Sequence, residues 1–141
     1  MAMTMPVEIS SGGVGVAPSM AFVLPEEFAS QPPPPLADSA VTLERVPQRL
    51  VAVLPFAGIV TDAEVARQRV ALLAALQADT QVAPLDDMAV SVLQYNAPYT
   101  VPWRRRNEVA LVVQQVGGSE SEGEGATQDA VSSWYDAGVR L

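Results

Sequence analysis

The chain has 141 residues, 49% of them apolar, which is room for one domain with a real core. Sixteen acidic residues stand against eight arginines, giving a net charge of −8 and excluding the broad basic face that general nucleic-acid binding needs. The absence of cysteine and histidine excludes disulfides, thiolate nucleophiles, ordinary zinc sites and any Ser-His-Asp triad. No apolar run approaches the roughly 18 residues that read as a membrane span, so a soluble protein is expected.

In chain order, the N-terminus MAMTMPVEI reads as a strand with Met3, Met5 and Val7 on one face. It has neither the basic and apolar regions of a signal peptide nor the arginine of a transit peptide. The turn-rich stretch SSGGVGVAPS should connect it to a second strand over 20–25, as a hairpin. Four consecutive prolines, 32–35, make the next segment a stiff surface crossover. Residues 41–46 alternate apolar and polar as a half-buried strand does, and 49–58 form a further strand, which Pro55 confines to an edge or a bulge.

The spacing predicts a helix over 62–78. Thr61 and Glu64 stand in capping-box register, and Val65, Leu72, Leu73 and Leu76 recur at helical intervals. TQVAPLDD then reads as a loop, 88–95 as an apolar strand, 96–106 as a long loop and 107–116 as a last strand. Residues 117–130, acidic and small, are expected to be a disordered linker, and 131–141 a short amphipathic tail carrying Trp134 and Tyr135. Residues 3–25 repeat the strand, loop, strand order of the second half of 49–116, which suggests two similar halves.

Three of the eight arginines, Arg104, Arg105 and Arg106, stand together behind an aromatic, proline-rich loop. On a strand only Arg104 and Arg106 share a face. Either that pair clamps a carboxylate or phosphate, or Glu108 and nearby backbone carbonyls satisfy the charges. Tyr95, Tyr99 and Trp103 form either the wall of a site for a flat ligand or a cap on the core. Met1, Met3 and Met5 read as core filling or as thioether ligands for haem iron. Neighbouring carboxylates such as Asp86 and Asp87 make no catalytic case.

Taken in order, MAMTMPV, MAFVLPEEF with its proline run, RLVAVLPFAGIVTDAEV and YNAPYTVPWRRRNEV resemble four motifs of the SOUL haem-binding family, over residues 1 to about 116. The resemblance implies an α+β fold: a distorted antiparallel β-barrel of two similar halves with flanking helices. It further implies non-enzymatic binding of haem or another tetrapyrrole in an exposed apolar cleft, in cytoplasm or plastid. Family domains begin with a strand and helix ahead of the M-T-x-P-V strand, so the first strand and helix of the first half are expected to be missing. That leaves a strand edge open to self-association. The cleft is expected to use Tyr95, Tyr99, Val101 and Trp103 as an apolar wall, with Arg104 and Arg106 facing propionates. With no histidine in the chain, iron would be ligated by Tyr or Met or left unligated. The alternative from a different class is a protein-interaction or structural module that has lost ligand binding.

Overall fold

The computed structural model describes residues 4–12, 15–116 and 139–140. Its centre is an antiparallel sheet in the order β2-β1-β6-β7-β4, with β5 also on β7. The strands are β1 (Val7–Ser10), β2 (Ser19–Phe22), β4 (Leu50–Phe56), β5 (Val82–Pro84), β6 (Val90–Gln94) and β7 (Asn107–Gln115). Two-residue strands β3 (Glu44–Arg45) and β8 (Val139–Arg140) pair separately. The α-helix of the described residues, α1 (Asp62–Ala78), lies between β4 and β5. The expected hairpin and the α+β class are both present. Among the described residues β2 and β4 end the sheet without pairing to each other.

The helix has the predicted bounds because its start is specified locally. The Thr61 hydroxyl accepts the Glu64 N–H at 3.2 Å, satisfying one of the free amides of the first turn. The Glu64 carboxylate does not return that bond. It accepts instead from Arg67 and Gln68, each at 2.7 Å, and these bonds hold its pKa below the ordinary carboxylate value. Leu72 and Leu76 are buried, with Val65 and Leu73 packed beside them.

In antiparallel pairs, residues directly opposite share a face. The registers Leu50↔Val113, Ala52↔Leu111, Leu54↔Val109 and Val90↔Leu111 therefore put one apolar set beneath α1, and Leu72 and Leu76 close over it. Pro55 sits in β4, an edge strand, where its missing N–H costs no ladder bond. The stretch expected as a loop over 80–87 contains β5. Strands β5 and β6 follow one another along the same side of β7, joined through the Leu85 N–H to Val112 C=O bond of 3.0 Å. Of the expected strand over 41–46, only Glu44–Arg45 is paired, and the proline-rich crossover before it carries no strand.

Strand β1 joins the two hairpins by pairing with β6, Val7↔Gln94 through Ser10↔Ser91. The β1–β2 and β6–β7 hairpins thus lie side by side about an approximate two-fold axis normal to the sheet. The face under α1 continues across this junction to Val7, Ile9, Met20 and Phe22, beyond the reach of the helix. On the other face Glu8, only 3% exposed, accepts from Arg49 at 3.2 Å and from Ser91 at 3.0 Å. The expected linker over 117–130 lies outside the described residues. So does the expected tail, except for Val139–Arg140, which pairs antiparallel with Glu44–Arg45.

Candidate functional site

The loop 96–106 is held by its own polar atoms. Its mouth is closed by the Tyr95 N–H to Arg106 C=O bond of 3.2 Å and by Asn96 Oδ1, which accepts the Arg106 N–H at 2.6 Å. Pro102–Arg104 forms a single 3₁₀ turn. The Arg105 side chain folds back and donates to the Pro98 and Thr100 carbonyls, each at 2.6 Å. Gly58 ties the loop to the end of β4: its N–H donates to Pro102 C=O, and its carbonyl accepts from Asn107 Nδ2, both at 3.1 Å. Its φ of +102° is open to glycine and strained for other residues.

The six expected site residues fall into two groups. Tyr95 and Arg106 lie on the face away from α1, where the Tyr95 hydroxyl donates to Glu108 and the Arg106 guanidinium meets the same carboxylate, both at 2.7 Å. The guanidinium carbon stands 5.4 Å from the Tyr95 ring centroid. The Glu108 hydrogen bond holds the Arg106 proton more firmly than usual. Tyr99, Val101, Trp103 and Arg104 form the loop tip, and Tyr99 and Trp103 are 90% and 76% exposed. Glu108 and the carbonyls of Pro98 and Thr100 thus satisfy two of the three arginines, the second alternative the sequence left open. Strand alternation does not apply to Arg104, which ends a 3₁₀ turn.

A groove of about 350 Å³ opens beside this loop, and none of those six residues lines it. Its floor is Val7, Ile9, Met20 and Phe22, the part of the helix-side face that α1 leaves uncovered. Ala97, Pro98 and Arg105 form one wall, with the amides of Gln94, Asn96 and Asn107 at its margin. Arg105 donates to neutral carbonyls and takes part in none of the ion pairs among the described residues, so its positive charge stays available at the rim. The sequence signal for the floor was the paired i, i+2 apolar positions of β1 and β2. Without the register they read only as core.

These features define the class: an α+β domain with an open antiparallel sheet, a helix over one part of a face and an arginine-rimmed apolar groove over the next. Residues 1–112 match the family model described as SOUL heme-binding protein, and the chain belongs to this family. No curated protein and no solved structure gives a significant match. No helix of the described residues is long and apolar enough to cross a membrane.

Proposed function

We propose that the chain is a non-enzymatic binder of haem or a related tetrapyrrole, acting as carrier, buffer or sensor. The observation that carries this reading is the apolar groove rimmed by Arg105, in a chain of a family described as heme-binding. The residues present fit a planar apolar macrocycle with carboxylates at its edge. Val7, Ile9, Met20 and Phe22 offer apolar area, whose burial is worth roughly 25 cal/mol per Å², and Arg105 offers a carboxylate a guanidinium partner. A volume of about 350 Å³ is small for a macrocycle. A bound ligand therefore overhangs the rim, where Tyr99, Val101 and Trp103 extend the apolar wall and Arg104 meets a second carboxylate. Tyr95 and Arg106, held by Glu108, then support the base of the loop. Among the described lining residues only the Met20 thioether is a soft donor to iron, and apolar contact holds the ring with or without metal.

The same reading takes 1–116 as the binding domain, followed by an acidic linker and a short tail, in a soluble protein of cytoplasm or plastid. It takes the sheet as part of a distorted barrel of two similar halves. Titration with haem and with metal-free protoporphyrin at micromolar concentration is expected to shift the Soret band and quench tryptophan fluorescence. No change with either ligand would overturn the proposal.

A second reading, an interaction module, draws on β2. No strand pairs with its outer side among the described residues, and Met20 and Phe22 are 57% and 39% exposed beside that edge. Strand-edge pairing between two copies is then expected, and light scattering should show a mass that rises with concentration. A monomer mass across the whole range would contradict it.

A further inference from the structure

We propose a second ligand site, between α1 and the β1–β2 turn, that takes an apolar monocarboxylic acid with its carboxylate on Arg69. The cavity there is a cleft open to solvent, of about 560 Å³ against about 350 Å³ for the groove beside Arg105. Asp62, Val65, Ala66 and Arg69, spaced to fall on one side of α1, form one wall, and Met88 and Val90 form the other. Ser11 and Gly12 close the end. The Ser11 N–H and hydroxyl both donate to Val90 C=O, at 3.0 and 2.8 Å, which fixes the turn against β6. Gly12 has a φ of +74°, and a Cβ there would collide with the Val16 carbonyl, so the turn can close at this place only with glycine.

Arg69 gives the cavity its chemistry. Its Nε is buried with no hydrogen-bond partner among the described residues, and its Nη1 donates only to the Met88 sulfur at 3.2 Å, a weak acceptor. None of the ion pairs among the described residues includes it. A guanidinium so placed, beside Val65, Ala66, Met88 and Val90, matches a carboxylate that can accept two parallel bonds while its apolar body covers the wall. Asp62 stands two turns back on the same helix, roughly 10 Å along the axis. A second carboxylate reaching that end of the cavity is repelled, which selects a monoacid.

The sheet supplies an independent argument. The approximate two-fold between β1 and β6 relates the loop of one hairpin to the loop of the other. The groove beside Arg105 lies between the β6–β7 loop and β1, and this cavity lies between the β1–β2 loop and β6. Each has apolar lining and an arginine outside the ion pairs of the described residues, but the arginine comes from the hairpin loop in one and from α1 in the other, so what the fold repeats is the place of the cleft. The site stands whether or not a tetrapyrrole binds at the other.

Calorimetric titration of the full chain with dodecanoate, dodecanol and dodecanedioate tests the proposal. Dodecanoate is expected to bind more tightly than the other two. Arg69→Gln should weaken it about ten- to hundredfold. Ala66→Leu, which fills the cavity and keeps the charge, should weaken it as well and covers the case in which Arg69→Gln fails to fold. Arg105→Gln should leave unchanged the part of dodecanoate binding that Arg69→Gln removes. Absence of binding, equal affinity for dodecanol, full affinity in a folded Arg69→Gln or in Ala66→Leu, or loss of the Arg69-dependent component in Arg105→Gln would each overturn it.

Discussion

Leu111→Ala is expected to destabilise the fold by about 3 to 5 kcal/mol, a large part of the roughly 5 to 15 kcal/mol that holds a domain together. Leu111 has no exposed surface and lies at the middle of β7, the strand that pairs with β4, β5 and β6. Its cross-strand neighbours on the helix side are Ala52 and Val90, and Leu72 and Leu76 of α1 belong to the same cluster. Ala52 is too small to fill a space left beside it, and both flanking strands are fixed by the ladder. The cavity should therefore persist rather than collapse. Urea unfolding should show a lowered midpoint with an unchanged slope. A loss under about 1 kcal/mol would mean that the helix packs elsewhere on the sheet.

Glu8→Ala should cost about 2 to 4 kcal/mol, below the usual range for breaking a buried pair because Arg49 keeps partial contact with water. The Glu8 carboxylate is the acceptor for Arg49 at 3.2 and 3.3 Å and for Ser91 at 3.0 Å, and its side chain is 4% exposed against 23% for Arg49. The substitution removes the acceptor and leaves the donors in a poorly hydrated place. A double-mutant cycle with Arg49→Ala separates pairing from packing. The double variant should be less destabilised than the sum of the two single changes by more than about 1 kcal/mol. Additive effects would show that the ion pair carries none of the stability.

The elements legible in the sequence are those whose signals are local. Thr61 and the apolar spacing of α1 specify the helix to the residue, and the turn-rich stretch between Ser10 and Ser19 marks the first hairpin. Strand β5 was hidden because Val82–Pro84 is three residues long and ends in proline, and only its continuation along β7 makes it a strand. The placement of the arginines depends on local geometry that spacing does not carry. Alternation groups Arg104 with Arg106, but a 3₁₀ turn ending at Arg104 breaks that period and leaves Arg105 against the groove. The groove floor depends on which parts of a face α1 covers, and the Val7↔Phe22 and Val7↔Gln94 registers that assemble it join residues far apart in the chain.

In the proposed binding mode the uncovered face of the β1–β2 hairpin receives the macrocycle. Its most direct test is the affinity of metal-free protoporphyrin for Phe22→Asp against that for the unaltered chain, followed through the Soret band. The substitution puts a carboxylate in the floor of the groove, beside Val7 and Met20. A loss of at least about tenfold is expected, since a charge set against an apolar ring goes unsolvated. Equal affinity in the two proteins would contradict it and move the ligand away from this face.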